Sequence, residues 1–290
     1  MKILIWPGST EIGREVVRSL KQALDMDVLT AGTADSIYLA PVSDPAWRMQ
    51  LHQRIAWHGI DYVYPAHDAV QYALTEAPEV PSIMPSAETV RTCRSKRATY
   101  AALRDLVAVP RVFVEDVPTY PVFVKPDAGQ GSRGASKVDC ADELPGARRR
   151  AGNDHLVLEY LPGPEFTVDC FSTGGELRWH QVRRRTAVRN GISVDTERVD
   201  NMADLAYWAR VIGERLRMRG AWFFQVKLRA NGAPVLLEVA PRIPGGAGLA
   251  RVRGVNLPLL TVLEFTGQPV QITEFDTVRR MTRHLADTFA

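Results

Sequence analysis

The residues of this chain best suited to chemistry are a lysine and three glycines in PVFVKPDAGQGSRGASKV, residues 121–138. A β-rich run, Val122 to Val124, ends on Lys125. A loop from Asp127 to Gly134 carries Gly129, Gly131 and Gly134, and a second β-type run ends at Val138. Glycines let backbone N–H groups turn toward an anion that a Cβ would hold off, and Lys125 adds a point charge beside them. A polyphosphate suits such a hairpin. Glycines also serve plain hairpin turns, and a lysine snorkelling out at a strand end is the other reading of Lys125.

The elements that must position this hairpin are legible on either side of it. Lys2 to Trp6 is an apolar run broken at Pro7-Gly8-Ser9, after which Ile12, Val16, Leu20 and Leu24 recur at helical spacing. With a second strand at Asp27–Thr30, a helix around Pro45–Trp57, the strand Tyr62–Tyr64 and a helix after Pro65-Ala66-His67-Asp68, the alternation predicts a doubly wound, mostly parallel sheet. Such sheets take ligands at the carboxyl ends of their strands. Gly8 and Gly13 fall short of the three-glycine dinucleotide pattern, which ranks a dehydrogenase low. Pro78, Pro81 and Pro85 mark a boundary, Ser86–Val109 reads as two helices, and 111–158 as short strands with one helix near Asp142–Arg150. Beyond Pro162-Gly163-Pro164, two strands run from Glu165 to Val182 around Gly174-Gly175. Leu205, Trp208, Ala209, Ile212 and Leu216 share a helix face, and two more strands flank Asn231-Gly232.

Bulk properties narrow the function classes. A chain of 290 residues can bury a large core in two or three subdomains. Lys plus Arg is 36 against 33 acidic residues, and a net charge of +3 is too weak a field to imply a nucleic-acid or membrane partner. The start has no signal-peptide pattern and no apolar run is long enough for a membrane helix, so a cytoplasmic protein is expected. Cys93, Cys140 and Cys170 are odd in number and far apart, and read as buried free thiols. No Ser/His/Asp or Cys/His arrangement points to a covalent nucleophile.

Taken in order, KPDAGQGSRG, LVLEYLPGPEFTVDCF at 156–171 and WFFQVKLRANGAPVLLEVAPRIPGG at 222–246 resemble the ATP-grasp superfamily. Within it they look like the carboxylate-amine ligases related to the large subunit of carbamoyl-phosphate synthase. The resemblance runs from Met1 to about residue 270. It implies an ATP-grasp fold of the α/β class with an α+β lid. An N-terminal Rossmann-like domain would span 1–85, the lid subdomain with its leading helices 86–160, and a C-terminal subdomain with metal and acceptor sites 161–290.

The resemblance also assigns residues. Lys125 and Lys96 match lysines near the ATP phosphates, under a lid tip of Gly129, Gly131, Ser132 and Gly134. Glu159-Tyr160-Leu161 matches the linker that reads adenine, and Glu165 the carboxylate that holds the ribose. Lys96 as a solvated helix lysine and Glu165 as an edge-strand charge are the bland alternatives. Gln225 and Glu238 match the metal-binding pair, for magnesium or in its place manganese. Here the chain departs from the pattern: Glu-x-Asn-Pro-Arg becomes Glu238-Val239-Ala240-Pro241-Arg242, and alanine offers no side-chain ligand. Arg242 is retained and could stabilise charge on a transferring phosphoryl group. Arg183, Arg184 and Arg185 precede Arg189-Asn190-Gly191-Ile192-Ser193, which looks like the loop over the acceptor carboxylate. Strand alternation puts Arg183 and Arg185 on one face, with a solvated basic strand as the other reading. Gly245, Gly246, Ser193, His67, Asp68, Gly8 and Ser9 would wall the acceptor pocket, although His67 also reads as an ordinary loop-end histidine.

The function so implied is an ATP-dependent carboxylate-amine ligase that works through an acyl phosphate on small-molecule carboxylate and amine substrates. The resemblance leaves room for a homodimer. The rival is a non-catalytic nucleotide-binding or scaffold protein of the same fold, with Ala240 as its supporting feature.

Overall fold

The computed structural model describes residues 1–22, 26–114, 117, 119–129, 131–189 and 191–284. Leu24 and Asn190, both used in the sequence reading, lie outside the described residues.

The chain opens with β1 (Lys2–Trp6), α1 (Glu11–Leu20), β2 (Asp27–Gly32), β3 (Ile37–Tyr38), α2 (Trp47–His58), β4 (Tyr62–Pro65) and α3 (Asp68–Leu74). Its sheet has the order β3-β2-β1-β4 with all pairs parallel. A parallel strand covered on both faces is apolar where it is covered, as β1 is from Ile3 to Trp6. Ile3 and Ile5 point into one cluster, Leu4 and Trp6 into the other. The first cluster also holds Phe171, Trp179, Ala221, Ile243 and Leu260 from the far part of the chain. Burial of these side chains together therefore fixes the N-terminal sheet against the C-terminal one.

Two helices, α4 (Ala87–Arg94) and α5 (Lys96–Leu103), meet at Ser95, whose side chain accepts a hydrogen bond from Ala98 N and so caps α5. Next come β5 (Val112–Phe113), β6 (Val122–Pro126), β7 (Ser136–Val138), α6 (Leu144–Ala151) and β8 (His155–Glu159), in an antiparallel sheet of order β5-β8-β6-β7. Val122, Val124, Val138 and Val157 pack on Ala147 and Ala151 of α6. On the other face Leu156 and Leu158 pack on Tyr100 of α5.

The last part holds β9 (Glu165–Thr173), β10 (Glu176–Arg189), β11 (Ile192–Arg198), α7 (Ala203–Arg215), β12 (Gly220–Leu228), β13 (Pro234–Ala240), α8 (Gly248–Val252), α9 (Leu257–Phe265) and β14 (Arg280–Thr282). Its strands follow the order β13-β12-β9-β10-β11-β14, antiparallel throughout. Leu205, Trp208, Ala209 and Ile212 of α7, with Leu216 just beyond it, cover Phe166, Val168, Phe224 and Val226 on one face of this sheet, and α9 lies against β12.

Three findings correct the sequence reading. The strand expected to end at Val182 continues to Arg189 and pairs with β11, because the arginines that break its apolar alternation have acid partners inside the fold. The short strand β14, Arg280-Met281-Thr282, is too brief to show any periodicity and escaped the sequence reading. Cys140 is exposed, since it sits in the turn that follows β7, whereas Cys170 is buried within β9 and Cys93 is half-buried. Among the described residues, no helix is long and apolar enough to cross a membrane.

Candidate active site

Two cavities meet beneath the β6–β7 hairpin. The smaller, about 230 Å³, lies between the lid sheet and the β12–β13 pair; the larger, about 630 Å³, opens between the N-terminal sheet and the C-terminal one. Lys96, Gly129, Gly131, Arg133, Arg185, Gly191, Gln225 and Glu238 line both. A ligand group at that junction touches the glycine loop, cations and a carboxylate at once.

The smaller cavity is an apolar slot with a charged end. Phe123, Leu158, Tyr160, Leu161 and Leu237 line its walls, and Lys125 and Glu165 lie toward the junction. Glu159 itself serves the frame: its carboxylate accepts from Arg229 Nη2 (2.6 Å) and Nε (3.1 Å) and from the Arg111 N–H (3.0 Å). That clamp ties the chain leaving β8 to the β12–β13 turn, and Tyr160 and Leu161 follow it into the slot. Tyr160 lies under the ammonium groups of Lys137 and Lys227, at 4.9 and 5.5 Å from its ring centre.

Both lysines singled out by sequence are buried here. Lys125 Nζ donates to Leu237 O (3.1 Å), and Lys96 Nζ to Asp127 O (3.0 Å). Asp127 in turn braces the start of α5, accepting from Ser95 Oγ (2.6 Å) and Arg97 N (2.7 Å), which fixes where Lys96 emerges. Burial, with the neighbouring charge of Lys96 adding to it, pushes the Lys125 ammonium down to about 7. An anion between the two lysines would relieve this.

On the floor of the junction Gln225 stands directly opposite Glu238 in the β12–β13 register. With its amide oriented to satisfy both neighbours, Gln225 donates to Glu238 Oε1 (3.1 Å) and accepts from Arg185 Nη1 (3.2 Å). Arg185 is held further by Ser193 Oγ (2.9 Å), Gly191 O (2.5 Å) and an ion pair with Glu165. In this orientation Glu238 offers carboxylate oxygens to the junction while Arg185 holds the Gln225 oxygen; turning the amide over would set its oxygen beside Glu238, and one carboxylate with one amide oxygen suits a single magnesium ion completed by ligand and water oxygens. Ala240 lines the cavity and adds no oxygen.

The walls of the larger cavity rest on two buried ion pairs. Arg183 donates through Nε (2.7 Å) and Nη2 (3.0 Å) to the two oxygens of Asp169, and through Nη1 to Thr196 Oγ1 (3.1 Å). A Cβ on Gly246 would stand 2.5 Å from that guanidinium, so only glycine lets the loop lie on it. Arg242 donates through Nε (2.6 Å) and Nη2 (2.7 Å) to both oxygens of Asp68, over the face of Phe223. Burial would raise the Asp68 carboxyl, but the charge and hydrogen bonds of Arg242 outweigh it and hold it below its ordinary value. The neighbouring His67 caps α3 through Nδ1, which accepts from Ala69 N (3.3 Å). Burial lowers its pKa against the pull of Asp68, and Arg242, Arg94 and Arg133 lower it further.

Of the residues assigned to the acceptor pocket, His67, Asp68, Ser193, Gly245 and Gly246 line the larger cavity. Gly8 and Ser9 do not. Gly8 packs on β2, where an added Cβ would stand 2.4 Å from Thr30, and its N–H donates to Asp35 (3.1 Å). The next residues, Thr10 and Glu11, reach the cavity instead, and Glu11 pairs with Arg283 after β14. Arg94 and Arg133 also line it and escaped the sequence reading. Their signal was a cation at each end of a recognised motif, in TCRSK and GSRG.

The lid rests on the site. Gly131, Ser132 and Gly134 adopt positive φ angles of 62°, 57° and 73°. Gly191, at φ 75°, touches the lid tip so closely that a Cβ would lie 2.5 Å from the Gly131 carbonyl carbon.

An antiparallel lid with a glycine hairpin, a six-stranded sheet carrying the Gln225–Glu238 amide–carboxylate pair, and a parallel N-terminal sheet enclosing one cleft define the ATP-grasp fold. Residues 152–285 match the sequence model of a family described as "ATP-grasp in the biosynthetic pathway with Ter operon". No curated protein sequence matches the chain. Among solved structures, it is similar to the biotin carboxylase domain of Hydrogenobacter thermophilus 2-oxoglutarate carboxylase, in complex with MgADP and bicarbonate. The TM-score is 0.77 at 16% identity, covering 96% of this chain and 72% of that one. It is similar also to the L-amino acid ligase from Bacillus licheniformis (TM-score 0.68, 20% identity, 91% of this chain and 73% of that one). Against Rhizobium etli pyruvate carboxylase the TM-score is 0.75 at 20% identity, with 92% of this chain covered; the chain spans 28% of that protein's length.

Proposed function

We propose that the protein is an ATP-dependent carboxylate-amine ligase that forms an amide or peptide bond and releases ADP and phosphate. The observation that carries this reading is the junction of the two cavities. One is an apolar slot of about 230 Å³ that would take a base with its phosphates extending to the junction, the other is large enough for a small-molecule acceptor, and they share a glycine loop, three cations and the Gln225–Glu238 pair.

In this reading the adenine sits against Tyr160 and Leu161, and Glu165 lies toward the ribose. Lys96, Lys125 and the Gly129–Gly134 loop gather the phosphates. Glu238 and Gln225 would hold the magnesium, which supplies charge neutralisation between phosphate oxygens. A carboxylate oxygen of the acceptor attacks the γ-phosphorus, the bond to the ADP oxygen breaks, and an acyl phosphate results. The amine nitrogen then attacks the acyl carbon, phosphate leaves with the C–O bond electrons, and the nitrogen gives up a proton. The chain contributes position and charge: Arg185 faces the junction, and closure of the lid excludes water from the acyl phosphate.

The second reading, a nucleotide-binding protein without turnover, draws on Ala240, which leaves the metal one side-chain oxygen short of the usual motif. Calorimetry with ATP and magnesium, followed by mass spectrometry of products from a pooled amino-acid and carboxylic-acid library, separates the two. ATP binding with a new amide and ADP supports the ligase; ATP binding without ADP release supports the second reading; absence of ATP binding removes both.

A further inference from the structure

We propose that the acceptor substrate carries a second anionic group besides the carboxylate that reacts, and that Arg94 and Arg133 hold this group in a corner of the larger cavity beside His67. The inference rests on the assignment of that cavity to the acceptor.

Charge pairing around the cavity singles out these two arginines. Arg183 has Asp169, Arg185 has Glu165 and Arg242 has Asp68. Arg94 and Arg133 line the same space, Arg133 at its border with the smaller slot, yet among the described residues neither has a hydrogen-bonded or ion-paired partner. They arrive from different elements, Arg94 as the last residue of α4 and Arg133 from the lid loop, and the charges of both act on His67. The corner therefore gathers two guanidinium groups and an imidazole. The carboxylates of the cavity wall are engaged elsewhere or stand apart: Asp68, on which the charge of Arg94 also acts, gives both oxygens to Arg242, Glu11 is paired with Arg283, and Glu238 faces the Gln225 amide on the floor of the junction.

Arg94 is half-buried, and the Asp68 carboxylate on which its charge acts is already engaged by Arg242, so the guanidinium is short of a partner of its own, which opposes folding. An anion brought by the substrate supplies it. A guanidinium presents a planar fork of N–H donors that matches two oxygens of a carboxylate or phosphate, and two forks on one anion outdo any single lysine. Because Arg133 rides on the lid, an acceptor with the second anion also draws the lid down. Specificity would thereby be coupled to closure over the reacting groups. The acceptor class so defined is a dicarboxylate or a phosphorylated carboxylate, in place of a simple monocarboxylate.

The test measures binding of matched acids by calorimetry to the full chain saturated with magnesium and a non-hydrolysable ATP analogue. Butyrate is compared with succinate, glutamine with glutamate, and serine with O-phosphoserine, so that the arms separate a second carboxylate from a phosphate. The expected result is that the more anionic member binds at least tenfold tighter in one or more pairs, on the scale of a charged hydrogen bond. Arg94→Gln should abolish most of that preference, Arg94→Lys should keep part of it, and analogue affinity should not change in either. Equal binding within every pair overturns the inference, as does a preference that survives Arg94→Gln. Loss of analogue affinity in Arg94→Gln with the acid preference intact would place the arginine on the nucleotide phosphates and overturn it too. If the wild type binds no nucleotide, the ligase reading fails separately, and the same acid pairs measured without the analogue decide the corner alone.

Discussion

Arg242 and Asp68 meet across 174 residues of chain in a two-bond ion pair of 2.6 and 2.7 Å, and this pair joins the N-terminal parallel sheet to the strand that carries Glu238. Their side chains are 12% and 16% exposed, so the attraction is little screened by water. The arginine that the sequence reading aimed at a phosphoryl group is thus the tie that closes the wall of the cleft. Gln71 adds a second tie, donating through its amide to Pro241 O (2.8 Å).

Removing one partner of this pair should cost more than removing both. Asp68→Ala leaves a buried guanidinium uncompensated, and a loss of about 3 kcal/mol is expected by urea denaturation; the double variant with Arg242→Met should recover much of it. The acid dependence follows from the carboxyl's lowered pKa. The pair contributes stability above the ordinary value of 3.8 and loses it as pH falls below that value. The stability gap between wild type and Asp68→Asn should therefore close on acidification. A gap that stays constant down to strongly acid pH would show that Asp68 acts by packing alone.

Gly191 should govern lid closure. With φ at 75° and the Gly131 backbone in its path, an alanine there is both strained and obstructed, and backbone atoms cannot turn aside as a side chain can. The lid can swing away instead, so Gly191→Ala should remain folded. It should show faster amide hydrogen exchange across 127–136 in the presence of ATP and weaker ATP binding by several-fold. Wild-type protection that does not change on saturation with ATP would count against the loop as a phosphate clamp.

How much of this was legible beforehand depended on the kind of signal. The run Lys2–Trp6 is apolar on both faces because both faces are covered, and that alone points to a parallel sheet. Gly131 and Gly134 mark the hairpin tip because a positive φ leaves few alternatives to glycine, whereas Gly129 has neither a positive φ nor a crowded Cβ position. The β10–β11 hairpin was legible only in part: the resemblance gave a loop at Arg189–Ser193 with Arg183 and Arg185 on one face before it, but that Asp169 and Glu165 on the adjacent strand pair with them was not. Pairings between residues remote in sequence leave no periodic trace. For the same reason Arg94 and Arg133 carried no signal of their own, and Gly8 read as part of a pocket that it does not line.

Lys125 should take up a proton when ATP binds. In the empty protein burial and Lys96 hold it at about 7 against an ordinary 10.5, and the phosphates would restore its charge. Linkage has a definite sign here: the unfolded chain holds this proton between those two values and the folded one does not, so stability without nucleotide rises with pH across that window. Near pH 8, calorimetry in buffers of differing ionisation heat should record net uptake of a fraction of a proton per ATP. Lys125→Met should abolish the uptake and weaken ATP binding by roughly tenfold or more. Uptake that is unchanged in the variant would assign the proton elsewhere.

Ala240 sets the metal requirement. Its methyl group lines the larger cavity two residues beyond Glu238, where the resembled motif places an asparagine, so a side-chain oxygen is missing from the junction. Magnesium keeps waters readily and holds octahedral geometry, and a water can complete the set that Glu238, Gln225 and the phosphates begin, at a cost in affinity. The wild type should therefore turn over only at raised magnesium, and Ala240→Asn should lower the concentration for half-maximal ADP release by several-fold. Glu238→Gln should abolish turnover while leaving thermal unfolding unchanged. If the wild type released no ADP at high magnesium with its substrates present, and Ala240→Asn restored release, the chain would be a nucleotide-binding protein that has lost its chemistry. A shared magnesium dependence in wild type and variant would instead mean that water already serves as well as the amide, and Ala240 would carry no penalty.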